Sequence, residues 1–286
     1  MRTSWRHSLS ALFKVVTVAT CAFVLSGCGN TATEEITVAG STTVLPIAEI
    51  AAEKYQDQGG CRVLVSGLGS SAGIEAAITG TAEIASSSRD LTPQEATYDL
   101  VKTPVAHDGI AVIVNEDCKV NKLTLAQLRG IYEGTITNWK QLGGEDLPIL
   151  VVNRDEASGT REAFRNIVMG DALFDRAAAV LPGTGQVRDV VSRTKGAIGY
   201  ISIGFVDTPF ATTRVKALSI DGVKPSEETV KNGTYPISRD LFFFTKGEPK
   251  GQARSFIKFI LSDEMNETIE EAGYIPIDLN ELGGVK

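Results

Sequence analysis

Histidine and cysteine are rare in this chain, and their rarity excludes several kinds of chemistry. The 286 residues include two histidines and four cysteines, and of the two histidines only His107 lies beyond the first 27 residues. Histidine is the usual general base and metal ligand near neutral pH, so histidine-based catalysis and multi-histidine metal centres lack the residues they need. The cysteines form no CxxC pair, which speaks against a thiolate metal site. We therefore expect no metal and no other cofactor.

Basic residues are also few relative to acidic ones. The formal net charge is −7, and the first 27 residues hold Arg2, Arg6 and Lys14 but no acidic residue, which leaves 25 basic and 35 acidic residues beyond them. A protein this acidic is not expected to bind nucleic acid or an anionic membrane surface. An anionic ligand would have to be held by short local contacts, because the overall field repels it.

The N-terminus has the composition of a targeting segment. Basic residues come first, an apolar run over 11–24 follows, and Leu25-Ser26-Gly27-Cys28 ends the segment. The run is shorter than the ~20 residues of a transmembrane helix and matches the apolar part of a signal peptide. The last four residues resemble the bacterial lipobox, which predicts lipidation of Cys28. We expect a signal peptide at 1–27, a tether at 28–35, and an exported protein, periplasmic or at the cell surface, anchored to a bacterial membrane by its lipid.

Cys61 and Cys118 are the two cysteines beyond the predicted lipid-modified residue. In an oxidising compartment they could form a disulfide, provided that their Cα atoms lie within about 7 Å of each other. The sequence leaves this pairing open.

Strand–loop–helix units follow one another along the chain, which predicts an α/β fold with ligands at the carboxyl ends of its strands. The first three apolar strands are expected at 36–39, 62–65 and 82–85, and the helices after them at 44–56, at 74–79 and from Thr92 onward.

Two long strands, at 105–115 and around 241–244, are placed to cross between two lobes. They predict a clamshell with a hinge of two chain crossings. Lobe 1 would comprise residues 36–108 and 241–286, and lobe 2 residues 109–240.

The segment NRDEASGTR, residues 153–161, carries the strongest functional signal. An apolar run over 147–152 indicates a buried strand before it, and apolar residues at helical spacing indicate a helix after it. Ser158 suits the helix N-cap, and Gly159 lets a ligand approach the backbone closely. Free N–H groups, two hydroxyl groups and Arg154 would together suit a tetrahedral oxyanion. The alternative is an ordinary capped helix with a solvated arginine.

Three further helix starts are rich in hydroxyl groups, at 40–43, 69–71 and 86–89. One would be an ordinary cap, but four in one chain, with an arginine beside two of them, favour a shared site. Neutral O–H and N–H donors suit the many acceptor oxygens of phosphate or sulfate.

These loops do not match two sequence motifs that are typical of enzymes. Gly67, Gly69 and Gly73 depart by one residue from the GxGxxG spacing of dinucleotide-binding proteins. Ser158 does not lie in the GxSxG motif of serine hydrolases. Neither class is therefore favoured.

Taken together, five short sequence segments of this chain resemble segments of the phosphate-binding proteins of bacterial phosphate ABC transporters, the PstS family. The similar blocks are AGSTTVLP (39–46), GSSAG (69–73), SSSRDL (86–91), RDEASGTR (154–161) and KGAIGY (195–200). The resemblance implies a type 2 periplasmic-binding-protein fold that holds phosphate between two lobes without catalysis. By position it implies phosphate contacts from Thr42, Thr43, Ser70, Arg154, Ser158, Gly159 and Thr160. The neighbouring Ser41, Ser88 and Arg89 complete the predicted site.

The third loop departs from the family pattern. Well-known members have an aspartate there that accepts the proton of hydrogen phosphate, whereas this chain has Ser88, followed by Arg89 and Asp90. Asp90 or Asp108 would then have to accept the proton. Phosphate is the expected ligand, and sulfate or another tetrahedral oxyanion is the alternative.

These patterns predict a monomeric, lipid-anchored receptor that captures phosphate and delivers it to the permease subunits of an ABC transporter. A secreted phosphatase or hydrolase that uses the same pocket is the alternative from a different class, and it would need a base or a metal. A sensor or surface adhesin built on the same fold is a third possibility.

Overall fold

The computed structural model describes residues 34–207 and 214–278. The predicted signal peptide, Cys28 and the tether up to residue 33 lie outside the described residues, as do residues 279–286 of predicted lobe 1. Within the described ranges, no helix is long and apolar enough to cross a membrane.

The described residues form twelve strands and eight α-helices. The strands are β1 (Glu35–Gly40), β2 (Arg62–Gly67), β3 (Ile84–Ser87), β4 (Leu100–Asn115), β5 (Lys122–Leu123), β6 (Leu150–Arg154), β7 (Ala179–Leu181), β8 (Ala197–Ser202), β9 (Val215–Ala217), β10 (Ser219–Ile220), β11 (Ser238–Lys246) and β12 (Ile275–Pro276). The helices are α1 (Leu45–Asp57), α2 (Ser70–Thr79), α3 (Leu125–Glu133), α4 (Gly159–Phe164), α5 (Thr184–Arg193), α6 (Glu227–Lys231), α7 (Gly251–Ile260) and α8 (Asp263–Glu271).

One mixed sheet connects most of these strands, in the order β2-β1-β3-β11-β4-β8-β6-β7. β1 lies parallel between β2 and β3, whereas β11 is antiparallel to β3 and β4. The long strand β4 changes partner along its length, because it pairs with β11 up to Gly109 and with β8 from Ile110 onward. The two predicted crossing strands are therefore neighbours in the sheet.

Buried apolar side chains cluster on either side of this change of partner. Among the described residues, two clusters draw their buried members from 36–106 and 241–274. Two other clusters draw theirs from 110–237, joined by Ile275. This grouping follows the predicted lobes closely, while the lobe boundaries themselves stay a prediction.

Two local predictions were wrong. The helix expected from Thr92 is only a 3₁₀ turn, Glu95–Thr97, and the chain is extended again at Tyr98. The carboxylate of Glu95 accepts hydrogen bonds from the Thr92 N–H and from the guanidinium of Arg89, which fixes a tight turn in place of a helix. The strand expected at 147–152 is shifted toward the C-terminus, as β6, and it ends at Arg154.

Cys61 and Cys118 are both free thiols. They contact different apolar clusters, Cys61 on the side of β1 and β2 and Cys118 on the side of α3. Burial raises the pKa of both thiols above its ordinary value. Thiolate formation at neutral pH is thus disfavoured, and the two residues do not form the disulfide that the sequence had left open.

This arrangement predicts the behaviour of the thiols. If the protein is unfolded and alkylated without any reductant, peptide mass spectrometry should find both Cys61 and Cys118 alkylated. Alkylation before unfolding should be slow, because thiols with a raised pKa are poor nucleophiles. A disulfide-linked pair of peptides would contradict the structure.

Candidate anion-binding site

Six hydroxyl groups and two guanidinium groups meet where β1, β3 and β6 end and where α1, α2, α4 and α5 begin. The hydroxyl groups belong to Thr42, Thr43, Ser70, Ser88, Thr160 and Thr184, and we call them the hydroxyl cluster. All of these residues except Thr42 are buried. The guanidinium groups belong to Arg154, at the end of β6, and Arg239, on β11.

The hydroxyl cluster joins segments that are distant in sequence. The Oγ1 of Thr43 lies 3.0 Å from that of Thr160 and 3.3 Å from that of Thr184. The Oγ of Ser88 lies 3.3 Å from that of Ser70 and 3.5 Å from the Oγ1 of Thr160. Each hydroxyl can donate or accept, so each can reorient toward an oxyanion oxygen.

Two other hydroxyl groups of the predicted site hold the loops instead. Ser158 is the N-cap of α4, as predicted, because its Oγ accepts the N–H of Arg161 at 3.2 Å. The Oγ of Ser41 accepts the N–H groups of Thr43 and Val44 at 3.1 and 3.4 Å. These side chains shape the loops, and their neighbours point into the cluster.

Arg154 is 2% exposed, and the groups that accept hydrogen bonds from its guanidinium are neutral. Its guanidinium donates to the carbonyl oxygens of Leu181 and Pro182 at 3.1 and 2.7 Å. It also donates to the Oγ1 atoms of Thr184 and Thr42 at 3.1 and 3.2 Å. Within the described ranges, no carboxylate forms an ion pair with it. Burial lowers its pKa from the ordinary arginine value, although the neighbouring Tyr200 and Asp155 oppose this.

The end of β6 that carries Arg154 is held rigidly. The Oδ1 of Asn153 accepts the N–H of Arg154 at 2.8 Å and the hydroxyl of Tyr200 at 2.5 Å. Tyr200 stacks on Phe164 with ring centroids 4.1 Å apart, and burial raises its pKa, so its hydroxyl stays protonated and donating. These contacts fix the strand end from which the side chain of Arg154 extends.

Arg239 contacts the hydroxyl cluster at Ser88 and Thr43. Its Nε and Nη2 donate to the Oδ2 of Asp108 at 3.1 and 2.8 Å. Its Nη1 donates to the carbonyl oxygen of Ser88 at 3.0 Å, and its Nη2 lies 3.4 Å from the Oγ1 of Thr43. The Oδ1 of Asp108 accepts from Ser202 at 2.7 Å. Burial raises the pKa of Asp108, although the charge of Arg239 opposes this.

Gly159 lies where the two sides of the site touch. A Cβ atom added there would overlap the Oγ of Ser70 and lie 2.8 Å from the Oγ of Ser88. Nearby, the N–H of Ser71 donates to the carbonyl of Ala157 at 3.2 Å. The backbone of the 153–161 segment therefore packs directly against the loops after β2 and β3.

Comparison with known proteins identifies the family of this chain. Residues 28–264 match a family model described as a PBP superfamily domain. The phosphate-binding protein PstS of Bacillus subtilis (strain 168) is 33% identical over 250 residues, which cover 86% of this chain and 82% of that protein. The phosphate-binding protein PstS of Borreliella burgdorferi is 31% identical over 264 residues, which cover 89% and 94%. The chain belongs to the PstS family of the PBP superfamily.

Solved structures give the same grouping. A protein assigned as a phosphate ABC transporter substrate-binding protein from Clostridium perfringens, solved with bound phosphate, is 37% identical with a TM-score of 0.81; the match covers 86% of this chain and all of that one. An ABC-type phosphate transport receptor from Vibrio cholerae is 38% identical with a TM-score of 0.70, covering 85% of this chain and 100% of that one. The fold is thus the mixed α/β, type 2 periplasmic-binding-protein fold that the resemblance implied.

Three residues that the sequence predicted for the site lie apart from the hydroxyl cluster. Arg89 forms a bidentate ion pair with Glu95, at 2.7 and 2.8 Å, and its guanidinium also donates to the carbonyl oxygen of Asp90 at 2.8 Å and to the Oγ of Ser71 at 3.0 Å. Asp90 is exposed and paired with Lys102 at 2.8 Å. The carboxylate of Asp108 accepts from Arg239 and Ser202 and from no member of the hydroxyl cluster. The two proton acceptors suggested by the sequence are therefore engaged elsewhere.

Two residues of the site were missed by sequence reasoning. Thr184 follows Gly183 at the start of α5, so it repeats the pattern of a hydroxyl at a helix start that identified the other loops. Arg239 gave no such signal, because it lies within a strand. It reaches the site only through the β4–β11 register, which pairs it with Asp108.

Proposed function

We propose that this protein binds inorganic phosphate at the hydroxyl cluster, with Arg154 as the charged ligand. The observation that carries the proposal is that Arg154 is a buried cation without a carboxylate partner among the described residues. A buried charge is costly unless it is paired. A bound anion would supply the missing charge, and the surrounding hydroxyl groups would supply hydrogen bonds to its oxygens.

The proposed site takes up most of the residues that the PstS family implied. Thr42, Thr43, Ser70, Ser88 and Thr160 contribute hydroxyl groups, Gly159 contributes the close backbone approach, and Thr184 is added to them. Ser41 and Ser158 act through the loops that they cap. We leave the side chain of Arg89 out of the site, because Glu95 holds it elsewhere.

In the cell, the protein would act as an extracytoplasmic receptor that hands phosphate to the permease subunits of an ABC transporter. Residues 36–108 with 241–286 and residues 109–240 would form two lobes that close on the anion, since the site draws groups from both. A signal peptide at 1–27 and a lipid on Cys28 would export and tether the protein as a monomer, in the periplasm or at the cell surface. As a member of a substrate-binding family, it is not an enzyme.

Calorimetry tests the proposed function directly. The tether-cleaved protein, stripped of ligand by unfolding and refolding, should bind phosphate with a stoichiometry of one, and nitrate should give no heat. Absence of phosphate binding would reject the proposal. A parallel titration with sulfate addresses selectivity, because the engaged states of Asp90 and Asp108 leave neither carboxylate facing the hydroxyl cluster.

The alternative of a phosphatase predicts turnover of a generic phosphate ester. We expect no turnover, with or without divalent metal ions. No group of histidine, cysteine or acidic residues in the described ranges is arranged to hold a metal. Sustained release of the alcohol would favour the hydrolase over the receptor.

Replacing Thr184 by valine should weaken phosphate binding by about tenfold, the effect of losing one hydrogen bond in a charged site. The Oγ1 of Thr184 contacts Thr42, Thr43 and Arg154, so the change removes a donor and loosens the arginine. Valine keeps the shape of threonine, and the thermal midpoint of the ligand-free protein should change little. Replacing Thr194, which follows the other end of α5, by valine is the control. Unchanged affinity in the Thr184 variant would remove this residue from the site.

A further inference from the structure

Arg239 is a buried cation whose contacts exceed what its ion pair requires. Its side chain is 5% exposed, and that of Asp108 is fully buried. Asp108 takes the Nε and Nη2 groups on a single oxygen, while Nη1 turns to the Ser88 carbonyl and Nη2 also reaches the hydroxyl of Thr43. Arg239 is thus fixed by one carboxylate and directed at two loops of the hydroxyl cluster.

The contact between Arg239 and Thr43 fixes the direction of the hydrogen bonds that the Thr43 hydroxyl makes. Arginine can only donate, so the Oγ1 of Thr43 accepts from Arg239. Its own proton is then left to point into the cluster, where the Oγ1 atoms of Thr160 and Thr184 lie 3.0 and 3.3 Å away. A hydroxyl that accepts from a cation is polarised and becomes a stronger donor. An anion in the cluster would receive that hydrogen bond.

The charge of Arg239 also acts on the same space as that of Arg154. Repulsion from Arg239 is one of the causes that lower the pKa of Arg154, so the two guanidinium groups sense each other's charge. Asp108 holds Arg239 in place, and its Oδ2 shares the Nη2 group of Arg239 with the Oγ1 of Thr43.

We propose that Arg239 is the second cationic residue of the phosphate site: its charge and the Thr43 hydroxyl that it polarises stabilise the bound dianion, and Asp108 fixes its position. The inference rests on the proposed function. Arg154 then pairs with one negative charge of the ligand. Arg239 supports the second negative charge, which hydrogen phosphate carries and dihydrogen phosphate lacks.

Calorimetry can distinguish an electrostatic role of Arg239 from a structural one. Calorimetry with inorganic phosphate would be run at one pH below and one pH above the second ionisation of phosphate, on wild-type protein and on Arg239→Gln. If Arg239 acts through its charge, Arg239→Gln should lose about tenfold more affinity for the dianion than for the monoanion, as expected for one missing charge near a partly buried site. Arg239→Lys should restore part of the preference for the dianion.

The charged neighbours of Arg239 bear on this pH comparison. Asp108 on β4 faces it directly, Arg154 faces it across the cluster, and the His107–Asp240 pair, 2.6 Å between Nδ1 and Oδ1, occupies the next register position of β4 and β11. Titration of Asp108 is removed in the double variant Asp108→Asn/Arg239→Gln, which also leaves no unpaired buried charge if Arg239→Gln alone does not fold. The double variant should show the same selective loss of dianion binding.

Arg89→Gln is the matched control, because it also removes a buried arginine from an ion pair with a carboxylate. It should bind both forms of phosphate as the wild type does. Equal losses of monoanion and dianion in the Arg239 variants, or the same losses in Arg89→Gln, would overturn the inference and assign Arg239 a structural role. If the wild-type protein itself bound no phosphate, the proposed function would fail, and this inference would fail with it.

Discussion

Replacing Arg154 by alanine should lower the affinity for phosphate by about 2 to 5 kcal/mol, the range measured when one partner of a buried, hydrogen-bonded charge pair is removed. The guanidinium is held by two carbonyl groups and two hydroxyl groups and has no carboxylate partner in the described part of the chain. Nothing nearby can replace its charge. Arg239 already faces Asp108, and Arg89 faces Glu95.

Thermal unfolding gives a second readout of the same change. Phosphate should raise the thermal midpoint of the wild-type protein, because a ligand that binds only the folded state stabilises it by mass action. Arg154→Ala should lose this response. Its ligand-free form should not be less stable than the wild type, since the variant no longer buries an uncompensated charge.

Arg161→Ala is the control for this prediction. Arg161 lies in the same sequence block but packs over the ring of Phe174, with 4.8 Å between its Cζ and the ring centroid. It should keep phosphate binding. Normal affinity in Arg154→Ala would show that the site had been assigned wrongly, whereas equal losses in both variants would indicate a general effect on the loop.

The site loops were predictable from sequence wherever their chemistry is local. Ser158 and Thr160 follow an apolar strand and precede a helix, so strand, cap and helix start can be read from neighbouring residues. The same holds for Thr43, Ser70 and Ser88. Because the strand ends of such a sheet lie together, several hydroxyl-rich helix starts imply one site. That inference needs no knowledge of tertiary contacts.

Side-chain direction was less predictable, because it depends on contacts between distant segments. Arg89 and Arg154 both lie close to the end of a predicted strand. The sequence alone therefore predicts the same role for the two side chains. Glu95, six residues further on, takes Arg89 out of the site, and the same contact replaces the predicted helix by a turn. Arg239 is the converse case, since it enters the site through the register between β4 and β11.

Replacing Gly159 by alanine should abolish measurable phosphate binding while leaving the protein folded. One added Cβ would overlap the hydroxyl of Ser70 and crowd that of Ser88. These two serines belong to the loops after β2 and β3, so the 153–161 segment could no longer pack against them. The backbone of Gly159 is not among those with a positive φ, and alanine is the better helix former, so α4 itself should tolerate the change.

Gly185→Ala tests whether the effect comes from the contact rather than from the loss of a glycine. Gly185 is also near the start of a site helix, α5, but a Cβ added there would meet no atom within 4 Å. Calorimetry should give near-normal phosphate affinity for Gly185→Ala and none for Gly159→Ala, with similar thermal midpoints for the two ligand-free proteins. If Gly159→Ala bound phosphate normally, the loops would not have to meet as closely as they do here, and the anion would have to bind to the 153–161 segment without the serine loops.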